Sequence, residues 1–149
     1  TARGARMIPG CVQQPRVPFV VAANGPRAMA VAARHGQGWA TTGPAVVEGP
    51  TAQAWEAWWA DLAGLVARFE DAARAAGRDP ADVDRYLNLD SSPRFSLESA
   101  DLFAECVERA RALGFTDVLT HWPRTEGIYA GREAVLEEVA ARLLALRDA

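Results

Sequence analysis

The sequence predicts an α/β fold of four βα units with parallel strands, on three observations. Short β-branched runs alternate four times with segments of helical periodicity, glycine and proline punctuate the junctions, and no Asn-Gly hairpin signal stands between two strands. Strands separated by helices need right-handed crossovers, so they lie parallel. Four such units fit either half of a (β/α)8 barrel or a small open doubly wound sheet, and the pattern leaves both open.

Residues 1–16 hold Pro9, Gly10 and Pro15 among polar neighbours and read as an irregular entry. Val17 to Ala23 is an apolar run read as a strand buried on both faces, ended by Asn24-Gly25-Pro26. Pro26 suits the first turn of a short helix to His35, with Met29 to Ala33 as its apolar stretch, and Gly36 and Gly38 stop it. Trp39 to Thr42 reads as the second strand. From Thr51 to Ala76, Trp55, Trp58, Trp59, Leu62, Leu65, Val66, Phe69 and Ala73 recur at steps of three and four. That is one buried helical face, and it assigns the three tryptophans to packing rather than to a stacking platform for ligands.

Gly77 ends this helix, and Asp79-Pro80 begins a turn. Arg85 to Asp90 alternates Leu87 and Leu89 with Tyr86, Asn88 and Asp90, a strand with one oily and one polar face. Ser96, Ser99 or Asp101 can cap the next helix, whose stripe runs from Leu102 and Phe103 through Cys106 and Ala110 to Leu113. Phe115 to Trp122 is the fourth strand. A last helix from Arg132 to Arg147 is expected to bury Val135, Leu136, Val139, Leu143, Leu144 and Leu146.

With 149 residues, 50% of them hydrophobic, the chain has the size of one domain, residues 1–149. A net charge of −3, from 19 acidic and 16 basic residues interspersed along the chain, offers no stripe for a nucleic acid. All the basic residues are arginine, which reads as codon bias. Cys11 and Cys106 lack metal-ligand or disulfide-framework spacing, so a metal site is not expected and a reducing cytoplasm fits. No apolar run approaches a membrane span. Thr1-Ala2-Arg3 opens without an initiator Met, which reads as a segment of something longer, although Met7 offers a start in a shorter frame.

The chemistry-bearing stretch is Pro18 to Ala28, a strand entering a glycine turn and a helix start. Unpaired N–H groups and the positive end of the helix dipole favour a phosphate there, and Gly25 lets the backbone approach closely. Thr41 and Thr42, at the end of the next strand, would offer hydroxyls to the same anion. The plainer reading is that the glycine serves turn geometry and the threonines fill a turn.

The stretch VPFVVAANGPRAMAVAARHGQGWATT, Val17 to Thr42, resembles a segment of the luciferase-like monooxygenases and F420-dependent oxidoreductases. There too a strand, an A-A/G-x-G-P-R turn, an A-A-R-x-G-x-G-W helix end and a strand follow in order. Gly77-Arg78-Asp79-Pro80 and Gly114-Phe115-Thr116-Asp117 are similar to further passages of that family, and the resemblance spans residues 9–147. It implies the C-terminal half of a (β/α)8 TIM barrel, with FMN or F420 bound at the carboxyl ends of the strands. Carried over by position, Ala23, Asn24, Gly25, Thr41 and Thr42 would hold the cofactor phosphate. In some F420 enzymes lysines complete that pocket; this chain has none, and Arg27 and Arg94 are the nearest cations by position.

The family's proton-handling residues belong mostly to the first half of the barrel, so no catalytic residue is assigned. Asn88, Asp90, Thr120 and His121 fall near strand ends and would line the site, with His121 read as a hydrogen-bonded rim residue. His35 is expected to interact with the carboxyl end of its helix. The implied protein is an oxidoreductase or monooxygenase acting on a small molecule, either homo-oligomeric or completed by an N-terminal half-barrel. The competing reading is a non-catalytic, truncated half-barrel that self-associates through its uncovered sheet edges. An open nucleotide-binding sheet is disfavoured, because no GxGxxG follows the first strand.

Overall fold

A computed structural model describes residues 3–4, 8–45 and 49–147, with side chains of the last helix described as far as Leu143. Four parallel strands form one sheet in the order β1-β2-β3-β4: β1 (Val20–Ala22), β2 (Gly38–Thr41), β3 (Asp84–Asn88) and β4 (Asp117–Leu119). The helices are α1 (Pro26–His35), α2 (Ala52–Ala75), α3 (Ala100–Ala112) and α4 (Glu133–Arg147). One helix follows each strand, so the chain advances along the sheet without doubling back.

Each helix begins and ends for a local reason. Pro26 occupies the first turn of α1, Thr51 accepts from the Ala54 N–H at the start of α2, and Ser99 accepts from the Leu102 N–H at the start of α3. Of the three caps considered for α3, Ser99 therefore serves. Gly77 and Gly114 follow α2 and α3 at φ 74° and 81°, the left-handed conformation that ends a helix at little cost to glycine. The carbonyls at the end of α1 are met by arginines rather than by the His35 ring. Arg16 donates to His35 O at 2.7 Å, and Arg78 donates to Ala33 O at 3.0 Å and Gly36 O at 2.6 Å.

All four helices contribute to one buried cluster on one side of the sheet. Trp39 of β2 lies at its centre, fully buried, its ring stacked 4.2 Å from Phe69 of α2 and 5.9 Å from Phe115. Trp55, Trp58 and Trp59 are buried in the same cluster, as packing predicts, with Trp59 edge-on to both neighbours. In α1 the buried positions are Met29, Ala32 and Ala33, while Val31 is half exposed. In α4, Val135 and Val139 are buried but Leu143 is exposed, contrary to expectation; Leu144 and Leu146 lie outside the described side chains.

Among the described residues nothing covers the opposite side of the sheet. Val20 and Leu119 are each 49% exposed and Ala22 is exposed, so β1 is not buried on both faces as its composition suggests. The cause is topological: every crossover lays its helix on the same side, and four strands leave the other side with nothing to pack against. Tyr86 lies along this face over Gly38, where an added Cβ would stand 2.8 Å from its Cε2. The strands are also shorter than the apolar runs that encode them, because pairing ends where a neighbour ends.

Arg85 is buried with the oily face of β3 because both terminal nitrogens of its guanidinium have partners, Nη1 donating to Glu70 at 3.0 Å and Nη2 to Pro80 O at 3.1 Å. Burial raises the Glu70 pKa, but hydrogen bonds from Arg85 and then Arg74 outweigh it and hold the carboxyl below its ordinary 4.5. A folded pKa below the unfolded one gives stability that is complete above 4.5 and is lost as pH falls through the lowered value. Urea midpoints are expected to drop below pH 4.5 in the wild type, and to drop less steeply in Glu70→Gln.

The two thiols differ in the same structural terms. Cys106 is 1% exposed, and burial pushes its pKa up to about 12, whereas Cys11 is exposed. Ellman's reagent at neutral pH is expected to titrate Cys11 alone in the folded chain and both cysteines in urea.

Candidate functional site

The carboxyl ends of β1 and β2 lie side by side, and Asn24, Thr41 and Thr42 meet there, while Gly25 does not line the hollow they form. The Asn24 side chain crosses from one strand end to the other: its Oδ1 accepts from Thr41 Oγ1 at 2.5 Å, and its Nδ2 donates to Thr42 Oγ1 at 3.2 Å and Gly43 O at 3.0 Å. Thr41, 4% exposed, also accepts from the Gly43 N–H at 2.9 Å. Gly43 stands at φ 73°, and a Cβ there would lie 2.5 Å from Trp58 Cζ2, so the turn that presents Thr42 requires glycine on both counts.

These bonds divide the candidates by what each has left to offer a ligand. The Thr41 hydroxyl and the Asn24 amide are spent on holding β1 and β2 together, so they shape the corner rather than donate from it. Thr42 is exposed, its oxygen accepts from Asn24, and its O–H has no acceptor among the described residues, so it can still donate. The Ala23 N–H and carbonyl are engaged by Ala40 O at 3.0 Å and Trp39 Nε1 at 2.7 Å. Gly25 precedes α1 with no side-chain cap, is exposed, and has nothing within 4 Å of where a Cβ would stand. Pro26 carries no N–H, so the donors without a helical acceptor in this first turn are those of Arg27 and Ala28.

A cavity of about 430 Å³ opens at this corner. Ala22, Ala23, Ala28 and Ala40 form its floor, Asn24, Thr41 and Thr42 its polar rim, and Asn88 and Leu119 its far side. None of these lining residues is titratable, so the corner can bind and orient but cannot itself transfer a proton. Of the two arginines nearest by position, Arg27 is exposed on the first turn of α1. Arg94 belongs elsewhere: it pairs with Glu98 at 2.6 Å, lies 5.6 Å from the Trp55 ring, and lines a separate cavity with Thr51 and Glu105.

The other strand-end candidates form a second cluster. The Asp90 carboxylate, with no side-chain exposure, accepts at Oδ1 from Ser96 N–H at 3.0 Å and Ser96 Oγ at 2.6 Å. Its Oδ2 faces Thr120 Oγ1 at 3.0 Å, the His121 N–H at 2.5 Å and His121 Nδ1 at 3.1 Å. This carboxylate ties the ends of β3 and β4 to the segment before α3, and His121 stacks 3.9 Å from Tyr129 as a hydrogen-bonded rim residue. Asn88 alone of this group lines the cavity at the Asn24 corner, and it accepts from the Asp90 N–H at 3.0 Å. Sequence does not signal this cluster, because it depends on Ser96 facing back to Asp90 instead of capping α3.

Among the described residues no group of side chains has the composition of a metal site, and no helix is long and apolar enough to cross a membrane. Compared with models of protein families and with curated proteins, the chain matches none.

Proposed function

We propose that this chain is the C-terminal half of a (β/α)8 barrel of the luciferase-like oxidoreductase class, and that the corner between β1 and β2 seats the phosphate of FMN or F420. One observation carries the reading: Thr42 and Ala28, whose O–H and N–H have no acceptor among the described residues, line one cavity with three further alanines at the carboxyl ends of adjacent parallel strands. Small side chains leave room for a phosphoryl group, and the donors match its charge. When bound, reduced flavin or F420 supplies the hydride or oxygen chemistry. Thr42, Ala28 and Arg27 would hold the anion, while Asn24 and Thr41 keep the two strand ends in register.

The resemblance of Val17 to Thr42 to that class supports the same reading, as do the single-sided helices and the bare sheet face, which in a barrel would be its interior. The direct test is fluorescence titration of the chain with FMN and with F420. Binding of one of them is expected; binding of neither would overturn the proposal. Thr42→Val, which removes the donor, is expected to weaken binding about tenfold, the cost of one charge-assisted hydrogen bond; it also removes one acceptor of the exposed Asn24 amide, which keeps Gly43 O, so the thermal midpoint is expected to fall only slightly.

A further inference from the structure

We propose that His121 is a proton acceptor at the carboxyl ends of β3 and β4, set by Asp90 to offer Nε2 to an O–H group of a small molecule held in the adjoining cavity. The inference rests on reading that cavity as a ligand site and is independent of which cofactor, if any, enters it.

The first support is the position forced on the imidazole proton. The Asp90 side chain has no exposure, and each carboxylate oxygen receives a peptide N–H, that of Ser96 at Oδ1 and that of His121 at Oδ2. Peptide N–H groups only donate, so the carboxylate accepts on both sides. His121 Nδ1, 3.1 Å from Oδ2, therefore brings a hydrogen of its own. In a neutral imidazole that leaves the lone pair on Nε2. Nε2 has no hydrogen-bond partner among the described residues, and the side chain is 36% exposed. Tyr129, stacked 3.9 Å from the ring with 8° between the planes, braces it from one face.

The second support is the charge that appears when Nε2 takes a proton. Among the described residues Asp90 pairs with no arginine, and His121 is the one basic group within ion-pair distance of it. An imidazolium formed there lies against a buried carboxylate, which stabilises the product of the transfer. Asp90 thus acts through His121, as a positioning residue. Cys106 of α3 does not compete for the role, because burial and then the charges of Glu105 and Asp90 push its pKa up to about 12, and it stays a thiol at neutral pH. Nor is the ring needed to hold the carboxylate in place. Both donors of Ser96, the Thr120 hydroxyl and the His121 N–H reach Asp90 without it.

The third support is place. Asn88 and Leu119 line the cavity of about 430 Å³ and are register partners across β3 and β4. Two residues further along their strands come Asp90 and His121. Asn88 also braces the pair, its Oδ1 accepting from the Asp90 N–H at 3.0 Å. The lining itself holds no titratable group, so a ligand seated there finds no acceptor in it for an acidic proton. His121, beside the lining, supplies one.

Nitrogen-15 NMR of histidine-labelled protein has only two imidazoles to resolve in this chain, His35 and His121. The neutral form of His121 is expected to show a protonated Nδ1 and an unprotonated Nε2. Diethyl pyrocarbonate reports the same lone pair: Nε2 takes its ethoxycarbonyl group, the Nδ1 proton is lost, and ethanol and carbon dioxide leave. His35 is the more exposed of the two, so exposure alone predicts that it reacts first. Acylation of His121 is instead expected to be about tenfold faster, the worth of one hydrogen bond to a charged group as the ring gains charge. The fast phase is expected to vanish in His121→Gln, and Asp90→Asn is expected to abolish both signatures. The wild-type spectrum and order of acylation decide the matter even if Asp90→Asn does not fold. A His121 ring protonated at Nε2 and bare at Nδ1, acylation no faster than that of His35, or a fast phase that survives in His121→Gln would each overturn the proposal. Neither readout involves flavin or F420, so failure of the phosphate seat leaves both standing, and their failure leaves the seat standing.

Discussion

Trp39→Ala is expected to destabilise the fold by about 4 kcal/mol, the largest effect of any single truncation in this chain. Trp39 is fully buried, stacks on Phe69 and Phe115, and donates from Nε1 to Ala23 O at 2.7 Å. Removing the indole leaves a cavity between the sheet and α2 and also frees the carbonyl that precedes Asn24. The site is therefore expected to loosen together with the core. Trp39→Phe, which retains the stack but not the donor, should recover more than half of the loss. Urea unfolding of both variants measures the difference, and a cost below about 1 kcal/mol for alanine would mean that the Trp39 site collapses around the gap.

Asp90→Asn is expected to cost about 3 kcal/mol, although the side chain keeps its shape. The carboxylate is reached by donors from Ser96, Thr120 and His121, and an amide nitrogen on either side would face hydrogens instead of accepting them. His121→Gln should cost far less, about 1 kcal/mol or under, because the backbone N–H of residue 121 still reaches Asp90. Equal losses in the two variants, measured by the same unfolding transitions, would show that the contact between the imidazole and Asp90, and not the bonds from Ser96, Thr120 and the residue 121 N–H, holds β4 to β3.

The layout of four βα units was legible because each signal was local. Pro26, Gly77 and Gly114 mark helix boundaries through their own backbone preferences, and the tryptophans of α2 repeat at helical spacing. The meeting of Asn24 with Thr41 and Thr42 was legible for a topological reason: consecutive parallel strands place consecutive strand ends side by side. What local signals do not carry is how the donors at such a corner are shared. Asn24 and Thr41 look like ligand-binding groups in sequence, yet they bond to each other, and the hydroxyl left over belongs to Thr42. Arg94 was near the site only by position in the chain, since the segment after β3 leads away toward Trp55. The exposure of β1 was hidden by its composition, because valine and alanine suit the inside of a closed barrel and the open side of a four-stranded sheet equally well. Arg85 in an oily strand face makes the same point, as its partners Glu70 and the Pro80 carbonyl, both outside β3, account for it.

The four alanines beneath the Asn24–Thr42 corner carry an evolutionary consequence. Each contributes a methyl group and no more, so short side chains help to keep the hollow open. Ligand preference in such a hollow is adjustable one carbon at a time: Ala→Ser adds a polar contact and Ala→Val shortens the reach, while the strands beneath keep their course. Homologues that accept bulkier or slimmer molecules are expected to differ first at Ala22, Ala28 and Ala40.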